Sequence, residues 1–277
     1  MVKKLFKHEF AYYLRSMLPI YGILLAIAAI SRIIQLFEAD NTLYNTLNVI
    51  SILSYIVGII AVFTMTLVFT ITRYYRNLFT SEGYLSFTLP VTPTQHILVK
   101  LASAVLTNIA SSVVLLISAC IVTLGDVFTE LWKAAAYLID RLPEWLALVF
   151  EETTAAEWQI NIWLFVGEFL LLMLAASIYR TLLYYGCITV GQTVNKNRVI
   201  AAVGVYFGYY MVTQAIGVVI VIIAQFLPWE TFADIFYAAP IGCIHTLAIS
   251  YILLNLLIAT GLFIISRVII RHKLNLE

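Results

Sequence analysis

Residues 73–100 read RYYRNLFTSEGYLSFTLPVTPTQHILVK and organise the interpretation of the whole chain. The stretch lies between two long apolar runs, and it contains two arginines, Arg73 and Arg76, a Ser-Glu-Gly break and two prolines. A connection between helices is usually only a few residues long, whereas this one is long enough to form structure of its own. It is also amphipathic, so we expect it to dock on another surface.

The composition predicts a membrane protein. Of the 277 residues, 62% are hydrophobic and 11% are charged, whereas a soluble domain is about half apolar and a quarter charged. We therefore predict a single transmembrane domain over residues 1–277. The net charge of +1 gives no indication of nucleic-acid binding. Glu9, Tyr12 and Arg15 interrupt the basic N-terminus before the first apolar run, so we expect no cleavable signal.

Six continuous apolar runs are long enough to cross a hydrocarbon core of about 30 Å as helices. They are not alternating with a period of two, which excludes the pattern of a barrel strand. The predicted fold class is an all-α membrane protein with six transmembrane helices. The predicted spans are residues 17–37, 49–72, 97–124, 160–188, 199–226 and 246–269.

Residues 1–16 precede the first span and repeat apolar side chains at helical spacing, at Val2, Phe6, Phe10 and Tyr13. Lysines occupy much of the remaining surface. The pattern predicts a helix lying in the cytoplasmic interface with its lysines toward anionic headgroups. The alternative is an ordinary basic flank that only sets topology.

The loop charges predict that both termini are cytoplasmic, because Lys and Arg concentrate on the inner side of membrane proteins. With the N-terminus inside, the outer half contains only Arg32, Lys133 and Arg141, against twelve acids. The inner segments contain three acids, Glu9, Glu82 and Glu277. Their thirteen cations are Lys3, Lys4, Lys7, Arg15, Arg73, Arg76, Lys100, Arg180, Lys196, Arg198, Arg267, Arg271 and Lys273.

Two outer segments have distinct patterns. Residues 125–159 are acidic, with apolar side chains at spacings of three and four, which predicts one or two short amphipathic helices over the outer mouth, broken near Pro143. Residues 227–245 are aromatic and hardly polar. They fit either a re-entrant element covered by protein or water, or an aromatic interfacial belt.

No catalytic or metal-binding motif is present. The chain lacks G-x-x-x-x-G-K-[ST], H-E-x-x-H and G-x-S-x-G. The three cysteines are widely separated, without disulfide or metal-ligand spacing. The four histidines, His8, His96, His245 and His272, lie near predicted interfaces rather than together. We expect no enzymatic activity, no catalytic residues and no metal site.

Several polar residues within the spans are candidates for a translocation path. Glu168 and Arg32 lie inside spans, where a charge is usually paired or faces a cavity. They predict an Arg32–Glu168 pair near an outer gate; the alternative is that both reach the interface, with Arg32 meeting Glu38 or Asp40. The fifth span adds a polar face at Tyr206, Tyr210 and Gln214.

The same span contains a G-x-x-x-G motif at Gly204 and Gly208. Small residues at this spacing let helix backbones approach closely. We favour packing within the monomer, with a contact between subunits as the alternative.

Residues 73–96 are predicted to form a cytoplasmic coupling segment. Thr92, Pro93 and Gln95 have the pattern of a capping box with proline at the first helical position, so the third helix begins in the cytoplasm. Residues 73–79 continue the second helix, and Glu82-Gly83 breaks it. Residues 84–88 then form a short apolar knob ended by Leu89-Pro90, which either docks on a partner or folds onto the membrane surface.

Residues 73–92, R-Y-Y-R-N-L-F-T-S-E-G-Y-L-S-F-T-L-P-V-T, followed by Lys100-Leu101, resemble the bacterial ABC transporter type-2 permease family. The corresponding run in that family reads like F-Y-K-D-L-F-x-x-E-G-Y-L-x-x-T-L-P-V-S. The N-terminal L-F-K-H-E-F, Gly191-Gln192 and the C-terminal K-L-N-L-E are also similar to the family. The long outer segment after the third span departs from the pattern. The matching positions are Tyr75, Leu78, Phe79, Glu82, Gly83, Tyr84, Leu85, Thr88, Leu89, Pro90 and Lys100.

The resemblance implies the membrane subunit of an ATP-driven exporter in a bacterial cytoplasmic membrane. Two permease subunits, identical or different, would pair with two separate cytosolic ABC ATPase subunits, which bind the ATP and Mg²⁺; no cofactor binds this chain directly. The alternative functions are an ion-coupled secondary carrier and a non-transporting membrane sensor or scaffold. The residues implied in coupling to the ATPase are Glu82, Gly83, Tyr84, Leu85, Phe87, Leu89 and Pro90, with Arg73 and Arg76 as flanking contacts.

Overall fold

The computed structural model describes residues 2–37, 42–80, 83, 91–124, 126–150, 153–194 and 196–272. Within these ranges the named elements are eight helices, and no strand is present. The all-α prediction is therefore confirmed for the described chain. The helices are α1 (Val2–Gln35), α2 (Thr42–Phe79), α3 (Pro93–Thr123), α4 (Asp126–Val149), α5 (Ala155–Gly191), α6 (Arg198–Ala224), α7 (Trp229–Ala238) and α8 (Pro240–His272).

Six helices, α1, α2, α3, α5, α6 and α8, are long and apolar enough to cross a membrane. This confirms the six predicted runs. Several helices extend well beyond the apolar core that predicted them, because the helix continues where the side chains become polar. α2 begins before residue 49 and ends after residue 72, and α8 begins at Pro240 instead of residue 246. Residues 2–35 form one continuous helix through Pro19, so the predicted interfacial segment and first span share a single helix.

The chain divides into two compact units, with the boundary after Ala135. In the first unit, α1 packs against α2 and α3, and α2 also contacts α3. The buried core centres on Met17, Tyr21 and Leu24 of α1 and Val62 of α2. These apolar contacts join the three helices into one bundle.

Hydroxyl groups connect the helices of the first unit inside its core. Tyr21 on α1 and Thr66 on α2 both reach the Ser111 hydroxyl of α3, at oxygen–oxygen distances of 2.6 and 3.0 Å. Ser31 and Ser51 link α1 to α2 at 3.2 Å. Such bonds between helices contribute to association where lipid surrounds the bundle, because a hydroxyl in hydrocarbon has no water to bind.

In the second unit, α5 packs against α8 and α6, and α7 contacts α8. Gly191 at the end of α5 lies directly against the backbone of α6, since a Cβ built there would be 2.5 Å from the Ala202 nitrogen. No side chain fits in this gap. The close approach of α5 and α6 therefore depends on glycine at position 191.

Gly204 and Gly208 behave differently from the prediction of packing within the monomer. A Cβ built at either residue would meet nothing within 4 Å, and none of the side chains of α6 is buried. The spacing of the motif predicts a packing face, but spacing does not specify which face meets a neighbour. The monomer does not use it.

The break predicted near Pro143 is also wrong. α4 is one 24-residue helix that contains Pro143. Proline removes one intrahelical hydrogen bond and strains the preceding turn, which kinks a helix without necessarily ending it. Residues 227–245 contain the 10-residue helix α7 and the start of α8, and both proposed placements of this segment relative to the membrane stay open.

Candidate functional site

The helix before the predicted coupling segment ends, and the helix after it begins, at the residues that the sequence predicts. α2 continues to Phe79. α3 begins at Pro93, with Thr92 as its N-cap. The Thr92 hydroxyl accepts from the Gln95 backbone N–H at 3.4 Å, and the Gln95 side-chain oxygen accepts from the Thr92 N–H at 3.1 Å. The predicted capping box is confirmed, and it satisfies two backbone donors that a helix start leaves unpaired.

A buried aromatic layer supports these helix ends. The side chains of Tyr74 and Leu78 on α2 and of Ile97 on α3 are fully buried. The rings of Tyr74 and Phe79 meet edge to face, with centroids 5.7 Å apart. The last turns of α2 are thus packed elements, which gives the following segment a fixed starting point.

One carboxylate, that of Glu9, joins all three helices of the first unit beneath this region. Glu9 Oε1 accepts from Lys100 Nζ on α3 at 2.9 Å, and Glu9 Oε2 accepts from Arg73 Nε on α2 at 3.0 Å. The Arg73 guanidinium also lies over the Tyr12 ring, 4.0 Å from its centroid. The side chains of Glu9 and Lys100 are only 4% and 2% exposed.

The close pairing of Glu9, Arg73 and Lys100 compensates for the cost of burying their charges. Taking charges out of water is costly, and only close pairing compensates for it. Each charge in the cluster has an opposite charge within 3.0 Å. Loss of the carboxylate would remove the ionic partner that the buried Lys100 and the half-buried Arg73 share, so the cluster favours α1, α2 and α3 staying together at this end of the unit.

The predicted coupling residues are described only in part. Arg73 is engaged with Glu9, and Arg76 is exposed on the last turns of α2. Gly83 is buried, its N–H donates to the Thr80 carbonyl at 2.7 Å, and a Cβ there would lie 2.5 Å from the Leu78 oxygen. Gly83 therefore suits the tight turn that the Glu82-Gly83 break predicted. The other predicted coupling residues lie outside the described ranges: Glu82, Tyr84, Leu85, Phe87, Leu89 and Pro90.

A second polar cluster lies in the other unit, where α5 meets α8. His245 Nδ1 is 2.7 Å from Glu168 Oε1, and His245 Nε2 is 3.1 Å from Asn161 Oδ1. The Phe165 ring stacks on the imidazole with a centroid distance of 4.3 Å. Asn161, Phe165 and Glu168 recur at helical spacing on α5, so one face of this helix surrounds the histidine.

A second hydrogen bond orients the Asn161 side chain in this cluster. The Asn161 amide donates through Nδ2 to the Glu157 carbonyl at 2.7 Å, which turns its Oδ1 acceptor toward His245. Both ring nitrogens thus face oxygen atoms. The Glu168–His245 contact therefore joins α5 to α8 directly through their side chains.

The remaining candidate path residues are distributed over the two units. Tyr206, Tyr210 and Gln214 share one face of α6 and are exposed, and the Tyr206 ring lies 6.1 Å from that of Tyr184 on α5. Arg32 is half-buried in α1 of the first unit. The partner of Glu168 within its own unit is His245, and the Arg32–Glu168 pair stays a prediction.

Sequence reasoning missed Glu9, Asn161 and His245 as site residues. Glu9 was counted only as an acid in a basic terminus, yet its rarity among the inner charges was a usable signal. Asn161 could have been found from its helical spacing to Glu168. His245 gave no such signal, because its proximity to Glu168 depends on how α8 packs on α5.

In the described part of the chain, no three His, Cys, Asp or Glu side chains are grouped closely enough to hold a metal ion. The two polar clusters each join neighbouring helices through side-chain contacts. No family model, curated protein or solved structure matches the chain.

Proposed function

We propose that this chain is the membrane-spanning permease subunit of an ATP-driven ABC exporter. Six apolar helices support a multi-pass membrane protein. In this proposal it resides in a bacterial cytoplasmic membrane with both termini inside, and residues 2–16 form the cytoplasmic end of α1. It binds no cofactor, since ATP and Mg²⁺ belong to separate ABC ATPase subunits.

The observation that carries the proposal is that the two helices flanking residues 80–92 are joined through one buried carboxylate. These residues carry the family resemblance, and they connect two helices whose ends are packed and capped. Arg73 lies six residues before the end of α2 at Phe79, Lys100 lies seven residues after the start of α3 at Pro93, and both bind Glu9. A force applied to the segment therefore reaches three helices through one buried carboxylate.

In operation, an ATPase would bind the knob from Glu82 to Pro90. Its ATP-driven movement would displace the ends of α2 and α3 together, because the ionic cluster prevents them from separating. The tilt of these helices would alternate access between the two sides of the membrane. A second permease subunit, identical or different, would complete the path, and the unoccupied Gly204–Gly208 face of α6 is available for such a contact.

Co-purification with a cognate ATPase tests the proposal. We expect the ATPase encoded beside this chain to co-purify with it, and we expect Tyr84→Asp or Leu85→Asp to abolish the complex by placing a charge in the docking groove. Tyr84→Phe, which keeps the ring, is the matched control and should retain the ATPase. A complex that survives both aspartate substitutions would contradict the coupling role.

The Glu168–His245 cluster favours one second candidate, an ion-coupled secondary carrier, because an ionisable pair inside a membrane helix is a common site for proton coupling. Transport in vesicles separates the two candidates. The exporter requires ATP inside with the ATPase present and stops with vanadate, whereas a carrier works without the ATPase and stops when the ion gradient is collapsed. A sensor or scaffold would show neither form of transport.

A further inference from the structure

The helix α4 separates its polar and apolar side chains onto opposite faces along its length. Successive positions three or four residues apart carry the polar groups, which a period of 3.6 residues places on one side. Two ion pairs lie along this side, Lys133 with Glu130 at 2.9 Å and Arg141 with Glu144 at 2.6 Å. The side chains of these four residues are between 50% and 71% exposed, as expected of a hydrated face.

The opposite face of α4 is apolar, and most of its described side chains are exposed. Two of its side chains are tryptophans, Trp132 and Trp145, which are 66% and 50% exposed. Leu138, Ile139 and Val149 on the same side are 46%, 58% and 62% exposed. A continuous exposed apolar face of this kind marks a surface that meets lipid or another protein.

The connections of α4 hold both of its ends near a membrane surface. Only residues 124 and 125 separate α4 from the apolar helix α3, and residues 150–154 connect it to α5. At 1.5 Å per residue, the 24 residues of α4 extend for about 36 Å. The second connection spans about 20 Å at most, and α5 adds about 7 Å before its predicted apolar run begins at residue 160.

With residue 160 of α5 at the bilayer surface, these lengths exclude an upright α4. A helix standing away from the bilayer would place its far end about 36 Å above the surface, and the return path reaches only about 27 Å. α4 is therefore inclined along the surface of the leaflet at which α3 ends. Its apolar face can then contact the hydrocarbon of the bilayer.

We propose that α4 lies in the headgroup boundary of this leaflet, with Trp132, Ile139 and Trp145 inserted and the line of ion pairs facing water. The occupant of the apolar face is the lipid bilayer. Tryptophan is enriched at this depth because its ring is apolar and its N–H is polar. The described charges of the polar face are three acids and two bases, Glu130, Asp140 and Glu144 against Lys133 and Arg141. Apolar burial and the two tethers hold the helix, without attraction to anionic lipid.

Spin labels at pairs of residues on opposite faces of α4 test this proposal. In the full chain with Cys120, Cys187 and Cys243 replaced by alanine, single cysteines are introduced as Ile139→Cys and Asp140→Cys, with Lys133→Cys and Leu138→Cys as a second matched pair. All four side chains are exposed, so labelling removes no core packing. The protein is reconstituted in phosphatidylcholine vesicles, and collision with oxygen and with a water-soluble nickel chelate is measured.

We expect the labels at positions 138 and 139 to collide several-fold more with oxygen relative to the nickel chelate than the labels at 133 and 140. Adding anionic lipid should leave this difference unchanged. Labels at 138 and 139 that are shielded from both reagents would show that protein covers the face, and equal access to the nickel chelate at all four sites would place α4 in water. Either result overturns the proposal.

Discussion

Glu9 shows how much structure can depend on one side chain in this protein. Its carboxylate is the common partner of Arg73 and Lys100, and it lies on a third helix. A surface ion pair contributes little, because water competes for both charges. Burial changes this balance, because the buried Lys100 and the half-buried Arg73 lose an ionic partner inside the bundle if the carboxylate is removed.

We predict that Glu9→Gln destabilises the first unit by about 3–5 kcal/mol, the range for breaking a buried ion pair by removing one partner. Thermal unfolding in detergent, followed by circular dichroism, measures the effect. Glu144→Gln removes a carboxylate from an exposed pair and should unfold with the wild-type midpoint. Equal midpoints for Glu9→Gln and wild type would show that the cluster does not hold the helices.

A second residue-level prediction concerns the contact between Glu168 and His245. Glu168→Ala and His245→Ala should be non-additive, with a coupling of about 0.5–3 kcal/mol, because each change removes the same contact. Unfolding midpoints of both single variants and the double variant provide the cycle. Additive effects would mean that the two side chains are independent.

The same cycle with Arg32→Ala examines the Arg32–Glu168 prediction. A direct pair requires non-additivity, and exchanging the two charges should restore stability or transport that each single change damages. Additivity without rescue leaves Arg32 at the interface, where it can meet water.

At the scale of elements, α5 and α6 of the second unit approach closely at a glycine. Gly191 lets α5 contact the α6 backbone, while Gly204 and Gly208 face open space. A glycine therefore permits a close helix contact only where a neighbouring backbone faces its Cα, as at Gly191.

We predict that Gly191→Ala lowers the unfolding midpoint strongly, because its Cβ would meet backbone atoms of Ala202 that cannot rotate away. Gly204→Ala is the matched control, and it should be neutral or stabilising by up to about 1 kcal/mol, since alanine is the better helix former. A neutral Gly191→Ala would disprove the close approach. If Gly204→Ala lowered the unfolding midpoint of a purified dimer but not that of the monomer, this face would instead form a subunit contact.

At the scale of the whole molecule, the even number of candidate spans and the uneven distribution of basic residues lead to one expected topology. Lys133 on α4 should lie on the outer side of the membrane, and Lys196 between α5 and α6 should lie on the cytoplasmic side. A single cysteine at position 133 should react with an impermeant maleimide in intact cells. A cysteine at position 196 should react only after permeabilisation, and labelling of position 196 in intact cells would reverse the predicted orientation.

The sequence by itself determined the six apolar helices and the start of α3, because these features depend on local quantities. An apolar run of sufficient length specifies a membrane helix wherever it is packed. Thr92, Pro93 and Gln95 form their cap within one turn. The expectation that Pro143 breaks a helix was local as well, but it treated the loss of one hydrogen bond as decisive in a 24-residue helix.

Only the tertiary structure decided which side chains meet. Glu9 and Lys100 are 91 residues apart, and Glu168 and His245 are 77 apart. Their pairing depends on the rotation and register of each helix against its neighbour, which the apolar runs specify poorly because nearly every face is apolar. For residues 73–100, the segment that organised the interpretation, the sequence predicted the helix ends and the turn. The fold added the buried carboxylate that joins both ends to α1.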